Sequence, residues 1–170
     1  DMLDEMYVDA YFFMGDSKRQ LGDYENAVKD FDTSLHYLKS IEDHNCIVCY
    51  EPKYFDYLKP YIFAKRGEAN LILERFKFAI SDYKKAIDLG IDDPSDNYGK
   101  LGYAKFQLNQ YACAIKDFTK AINLGTNNES IYLYRGFSNY ELGNFQGVID
   151  DFEKVLEINP NNNEEAFYHY

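Results

Sequence analysis

The stretch LGDYENAVKDF, Leu21 to Phe31, returns as LERFKFAISDY from Leu73 to Tyr83, LNQYACAIKDF from Leu108 to Phe118, and LGNFQGVIDDF from Leu142 to Phe152. A catalytic site is built once, so a phrase written four times serves architecture, and function lies in what varies around it. In the third copy Tyr111, Ala114, Ile115, Phe118, Ala121 and Ile122 fall at three- and four-residue steps, which puts one apolar stripe along an α-helix. Upstream, Tyr98, Leu101, Gly102, Lys105 and Leu108 trace a second stripe ending near Asn109, a residue type that tolerates the left-handed conformation at a helix end. The first and fourth copies place Gly22 before Asp23 and Gly143 before Asn144, a glycine that stops one helix and then a side chain suited to cap the next. So short a joint makes the two helices antiparallel, and each copy reads as a helical hairpin.

The aromatics that close the four phrases, Phe31, Tyr83, Phe118 and Phe152, are separated by 52, 35 and 34 residues. The fourth copy supplies Tyr132, Arg135, Gly136, Asn139, Val148, Phe152, Val155 and Pro160, and the first supplies Tyr11, Met14, Gly15, Ala27, Phe31 and Ser34. In period and pattern the chain resembles the tetratricopeptide repeat family, with tyrosine or phenylalanine where that family often has tryptophan. The resemblance implies an all-α fold: a right-handed superhelical solenoid of antiparallel helix-turn-helix hairpins. About four repeats are expected, at residues 8–41, 60–94, 95–128 and 129–162 of a single domain. The excess spacing after the first repeat is an insertion over residues 42–59, with Pro52 opening a helix and Pro60 marking a kink or second start. At the far end, Asn163 caps a segment with Ala166, Phe167 and Tyr170 on one face, the start over 163–170 of a capping helix or a next repeat.

Gly15, Gly67, Gly102 and Gly136 sit mid-helix, where glycine costs roughly 1 kcal/mol against alanine, so another helix is expected to come close there. The resemblance places the small residues Ala27, Ala79 and Ala114 opposite these glycines and uses the aromatics to fill the space between hairpins. Stacked hairpins then bury a continuous core that one hairpin alone cannot.

A formal charge of -11 disfavours phosphate backbones and anionic lipid, so neither nucleic acid nor a membrane surface is an expected partner. No run is long and apolar enough for membrane insertion. Three cysteines make no disulfide framework, which points to a reducing, cytoplasmic setting. The start at Asp1, with neither an initiator methionine nor a signal-peptide pattern, is expected of a piece cut from a longer protein.

Glycine-rich phosphate loops, nucleophile elbows, zinc helices and calcium loops are missing from the sequence, so no enzyme activity and no cofactor is expected. His36, His44 and His169 have no partner at a meaningful spacing. The acid pairs Asp92/Asp93, Asp150/Asp151 and Glu164/Glu165 read as solvated faces and first-turn charges, because adjacent helical residues do not face each other. Cys113 reads as core filling. The tripeptide Asn128-Glu129-Ser130 matches a glycosylation sequon at a helix start. His44, Cys46 and Cys49 in HNCIVC offer three soft ligands for a metal or for redox chemistry, although a structural zinc needs a fourth.

In the family it resembles, the first helices of successive hairpins line a concave groove, and residues off the packing stripe meet the ligand. The corresponding sites are Asp16, Glu68, Arg19 and Leu71 in the first two copies, and Tyr103, Phe137, Phe106 and Tyr140, with Leu133 and Tyr134 nearby, in the last two. The expected peptide-binding set is Tyr61, Lys65, Lys100, Tyr103, Phe106, Tyr134, Phe137 and Tyr140, charged toward one end and aromatic toward the other. Packing of these aromatics between adjacent first helices is the competing expectation. The carboxylate clamp by which some family members hold chaperone tails does not match, because Phe12 and Asp16 stand where its lysine and asparagine belong. The chain is therefore expected to be a protein-interaction scaffold that takes a peptide or helical segment in its groove, with self-association through the end helices as a further route. An accessory domain of a larger enzyme and a metal or redox sensor at Cys46 and Cys49 are the rival readings.

Overall fold

The computed structural model describes residues 2–44 and 52–160. These residues form eight helices and no strand: α1 Met2–Gln20, α2 Tyr24–His44, α3 Pro52–Ile72, α4 Phe76–Asp88, α5 Ser95–Gln107, α6 Tyr111–Asn123, α7 Glu129–Glu141 and α8 Phe145–Ile158. They pair as hairpins α1 with α2, α3 with α4, α5 with α6, and α7 with α8. The chain divides into two compact units, Asp1–Asp92 and Asp93–Tyr170. In the first unit α3 packs on α2 and touches α1; in the second α7 packs on α6 and α5.

All four hairpin turns share one backbone geometry. The fourth-phrase turn has Gly143 at φ 73° and the first has Gly22 at φ 82°, while Glu74 and Asn109 take φ 56° and 57° at the same place. In each turn the next amide reaches back five residues: Asp23 to the Lys18 carbonyl, Arg75 to Asn70, Gln110 to Lys105 and Asn144 to Asn139, all at 2.8 to 2.9 Å. This is the closure that satisfies orphan carbonyls at a helix end. Asn144 then accepts from the Gly147 amide at 3.3 Å and caps α8. Asparagine was the expected residue at 109; the left-handed Glu74 was not anticipated, and its position in the repeat is what demands it.

The insertion lengthens the helices on either side of it. α2 and α3 each run to 21 residues, against 13 in α4 to α7, and Pro60 lies inside α3. The extra turns bury Leu38 and Ile41 of α2 with Phe55 and Leu58 of α3, in one core with Val8, Phe31 and Ile62. The second unit has its core around Ala114, Phe118, Ala121 and Ile131.

The close approach at the mid-helix glycines is present, and the nearest atoms are those of the closing aromatics. A Cβ on Gly102 would stand 2.7 Å from the Phe118 ring, and one on Gly15 3.0 Å from the Phe31 ring; Gly67 and Gly136 face Tyr83 and Phe152 in the same way. The aromatic that closes each phrase lies against the glycine of its own hairpin. Ala27, Ala79 and Ala114 are fully buried, and the Ala27 carbonyl oxygen also comes within 3.2 Å of a Cβ on Gly15. Two expectations are corrected. Cys113 is exposed, not core. Asp151 is buried rather than solvated, at 2% exposure, and so are its counterparts Asp30, Asp82 and Asp117.

Candidate functional site

Counting from the mid-helix glycines puts the expected groove residues in register. The residue two before each glycine is Phe13, Lys65, Lys100 and Tyr134; one after comes Asp16, Glu68, Tyr103 and Phe137; four after comes Arg19, Leu71, Phe106 and Tyr140. In each unit some of these positions meet at the junction between successive first helices.

In the first unit that junction is ionic. Arg19 donates to Asp16 from Nε at 2.9 Å and Nη2 at 2.7 Å, and its Nη1 stands 3.2 Å from Glu68, which Lys65 also approaches at 3.6 Å. Burial alone would raise the Asp16 pKa, but hydrogen bonds from Arg19 and Gln20, with the charges of Arg19 and Lys65, hold it below the usual carboxylate range. The acids of this junction, Asp16 and Glu68, are thus paired with Arg19 and Lys65. Tyr61 donates to Asp92 at 2.8 Å and packs on Tyr57 with ring centres 5.0 Å apart. Its bonds with Tyr57 and then Asp92 push its hydroxyl pKa well above the usual tyrosine value.

In the second unit the same junction is aromatic. Tyr134 of α7 lies 4.8 Å from Tyr103 and 5.3 Å from Phe106 of α5, edge-on and tilted, and Tyr111 of α6 closes on Phe106 at 5.7 Å. These are geometries in which aromatic pairs attract beyond their apolar area. Tyr103, Phe106 and Tyr134 are half-buried against the Phe118 core, so packing between first helices describes them. Phe137 packs on Phe152 at 5.5 Å, also half-buried. Tyr140 differs: it is 62% exposed, beside Phe145 at 64%. Lys100 is held by Asp96 at 2.6 Å.

Sequence reasoning missed the ion pair inside each hairpin. Arg66 holds Asp82 at 2.5 Å with Asn70 donating at 3.1 Å, and Arg135 holds Asp151 at 2.6 Å with Asn139 donating at 3.0 Å. In the other two hairpins a lysine at the asparagine's position does the work: Lys18 with Asp30 at 2.6 Å, and Lys105 with Asp117. The signal was visible, since an aspartate precedes the closing aromatic in all four phrases. Arg66 also reaches back to Asp32 at 2.5 Å and Arg135 to Thr119 at 3.2 Å, which are equivalent positions on the preceding hairpin. A cleft of about 470 Å³ opens beside Arg66, also lined by Arg75, Phe78, Ser81 and Lys85. Its arginines are engaged, Arg66 as above and Arg75 with Glu25 at 2.7 Å, so it offers no free charge of either sign from them.

Asn128 caps α7 by accepting from the Ser130 amide at 3.0 Å. His36 packs edge-on to Tyr37 and is exposed. The His44 side chain, Cys46, Cys49 and the segment 163–170 lie outside the described residues. Among the described residues no group of three potential ligands could hold a metal ion, and no helix is long and apolar enough to cross a membrane.

Tetratricopeptide repeat models match residues 8–35, 95–126 and 130–162. No curated protein sequence matches. Among solved structures, a MamA fragment from Desulfovibrio magneticus RS-1 is 22% identical with a TM-score of 0.71, covering 92% of this chain and 77% of its own. YrrB, a TPR protein with an unusual peptide-binding site, is 19% identical with a TM-score of 0.70, covering 88% and 68%. The first TPR of Spaghetti (RPAP3), bound to the HSP90 peptide SRMEEVD, is 25% identical with a TM-score of 0.58 and covers 62% and 83%. The repeat matches span 8–35, 95–126 and 130–162, and the hairpins in register with them carry the same glycine, aromatic and turn geometry. The chain is a member of the tetratricopeptide repeat family.

Proposed function

We propose that this protein is a non-enzymatic interaction scaffold that binds a protein segment through the aromatic surface of its second unit. The observation that carries this reading is the contrast between two equivalent sets of rings. Tyr103, Phe106 and Tyr111 form a cup that Tyr134 fills, whereas Phe137, Tyr140 and Phe145 repeat the cup with Tyr140 and Phe145 exposed. Adjacent exposed aromatics on a preformed helical surface suit an anchor residue of a partner, since apolar burial and edge-to-face contact act together there. Peptide binding by YrrB and by the RPAP3 domain supports the class of function. The ionic junction of the first unit, with Asp16, Arg19, Lys65 and Glu68 satisfied among themselves, makes it the weaker candidate for ligand contact. Lys65, Lys100 and Tyr61 then act in support of the fold.

A photo-cross-linking amino acid at position 140, compared with one at exposed Cys113 on α6, tests the reading. Cross-links to a second polypeptide from position 140 and not from 113 are expected. Equal yields at the two positions would overturn it.

A further inference from the structure

The cleft of about 470 Å³ in the first unit gathers three cations in a chain whose formal charge is -11. Val28 of α2, Arg66 of α3, Arg75 of the following turn, and Phe78, Ser81 and Lys85 of α4 line it. The three charges are not equally committed. Arg66 is held by buried Asp82 and reaches Asp32. Arg75 pairs with Glu25, but the two side chains are 39% and 54% exposed, and an ion pair so open to water is weak and exchanges partners readily. Lys85 pairs with no acid among the described residues; its ammonium lies 5.0 Å from the centre of the Phe63 ring, which Arg66 also approaches at 5.3 Å. A ring attracts an ammonium but does not neutralise it.

The apolar side of the cleft is open as well. Phe78, Ser81 and Lys85 follow one another at three- and four-residue steps and so share a face of α4, and Phe78 is 66% exposed. The second unit shows that the lysine alone is not the distinguishing feature. Lys120 stands in register with Lys85 and lies 5.0 Å from the centre of the Tyr98 ring, but Leu101, Gln110 and Cys113 occupy the positions of Arg66, Arg75 and Phe78. The first unit joins an unpaired ammonium, an exchangeable guanidinium and an exposed ring in one concavity.

We propose that this cleft takes an acidic segment of a partner protein, with carboxylates on Lys85 and Arg75 and an apolar side chain against Phe78 and Val28. Charge decides the occupant: a chain that repels anions overall attracts one where cations converge without matching acids. Asp32 and Asp82, the acids that line the cleft, are both engaged by Arg66, which leaves Lys85 to the ligand. This surface is separate from the rings of the second unit and stands without them.

Fluorescence anisotropy tests this with a labelled peptide, Glu-Asp-Leu-Phe-Asp-Glu, and its amide analogue, Gln-Asn-Leu-Phe-Asn-Gln, on the wild type and on Lys85→Glu, Phe78→Ala and Lys120→Glu, each variant first shown by circular dichroism to be folded. The acidic peptide is expected to bind more tightly than its analogue, although the chain as a whole repels it. Lys85→Glu weakens that binding by about tenfold or more and Phe78→Ala by about fivefold, the scale of a lost charge pair and of a lost apolar anchor. Lys120→Glu makes the same change of charge and loses the same kind of ring contact, and it binds as the wild type does. Equal binding of the two peptides, a Lys85→Glu variant that binds like the wild type, or equal losses in Lys85→Glu and Lys120→Glu overturns the proposal. Displacement of the peptide by an equal concentration of inorganic phosphate also overturns it and assigns the cleft to phosphate.

Discussion

Arg135 grips Asp151 with two nitrogens, Nη2 at 2.6 Å and Nε at 3.0 Å from Oδ1, while the carboxylate is 2% exposed and Asn139 donates to its other oxygen at 3.0 Å. The same arrangement recurs at Arg66, Asp82 and Asn70, and lysine replaces the arginine and asparagine in the other two hairpins. Every hairpin thus buries one carboxylate beside its closing aromatic and neutralises it from its first helix. Removing one partner of such a pair leaves a buried charge uncompensated.

Arg135→Ala is expected to destabilise the protein by about 2–4 kcal/mol, toward the lower end for breaking a buried pair because the arginine reaches solvent. Arg135→Lys falls between the two, since an ammonium cannot span the carboxylate with two nitrogens. Urea unfolding followed by circular dichroism measures both. A change below about 0.5 kcal/mol for the alanine variant would show that the pair is structural ornament.

Gly102→Ala adds a methyl 2.7 Å from the Phe118 ring. Alanine gains roughly 1 kcal/mol of helix propensity, but overpacking costs about 1–3 kcal/mol, and the ring has Ala114, Ala121 and Ile131 around it. A net loss of stability is expected. Gly67→Ala, where the nearest ring atom would be 3.1 Å away, is expected to lose less. Thermal melts of the two variants side by side give the order, and the reverse order contradicts the packing described.

Asp16 supplies a pH dependence. Its pKa is lowered from 3.8 in the folded chain, where bonds from Arg19 and Gln20 outweigh the burial that would raise it. A group depressed by folding contributes stability above its unfolded value and loses it as the pH falls through the folded value. The urea midpoint of the wild type should therefore fall more steeply between about pH 5 and pH 3 than that of Asp16→Asn. Parallel curves would show that Arg19 contributes nothing through this acid.

The hairpins were legible because helical periodicity and turn chemistry are local: Asn109 and Gly143 announce their turns, and the phrase-closing aromatics set the period. Other features depend on what stands across from a residue. Asp151 looked solvated beside Asp150 until α7 placed Arg135 over it. The glycines announced a close approach but not that the ring closing the phrase would supply the nearest atoms. The expected groove residues lie in register, but Arg19 of α1 also pairs with Glu68 of α3, 49 residues further along the sequence, which no local pattern displays.

Tyr140→Ala removes an exposed ring, so its effect on stability is expected to stay within about 0.5 kcal/mol. Tyr134→Ala removes a half-buried ring packed on Tyr103 and Phe106 and is expected to cost about 1–3 kcal/mol. Equal costs in urea unfolding would contradict the distinction between an open and a filled cup.

The central claim is that the open cup recognises a protein segment, and affinity capture tests it most directly, with the wild-type chain and folded Tyr140→Ala as parallel baits. A polypeptide retained by the wild type and lost by the variant, whether another protein or further copies of the chain, is the predicted result. A polypeptide retained equally by both would contradict it and move recognition away from Phe137, Tyr140 and Phe145.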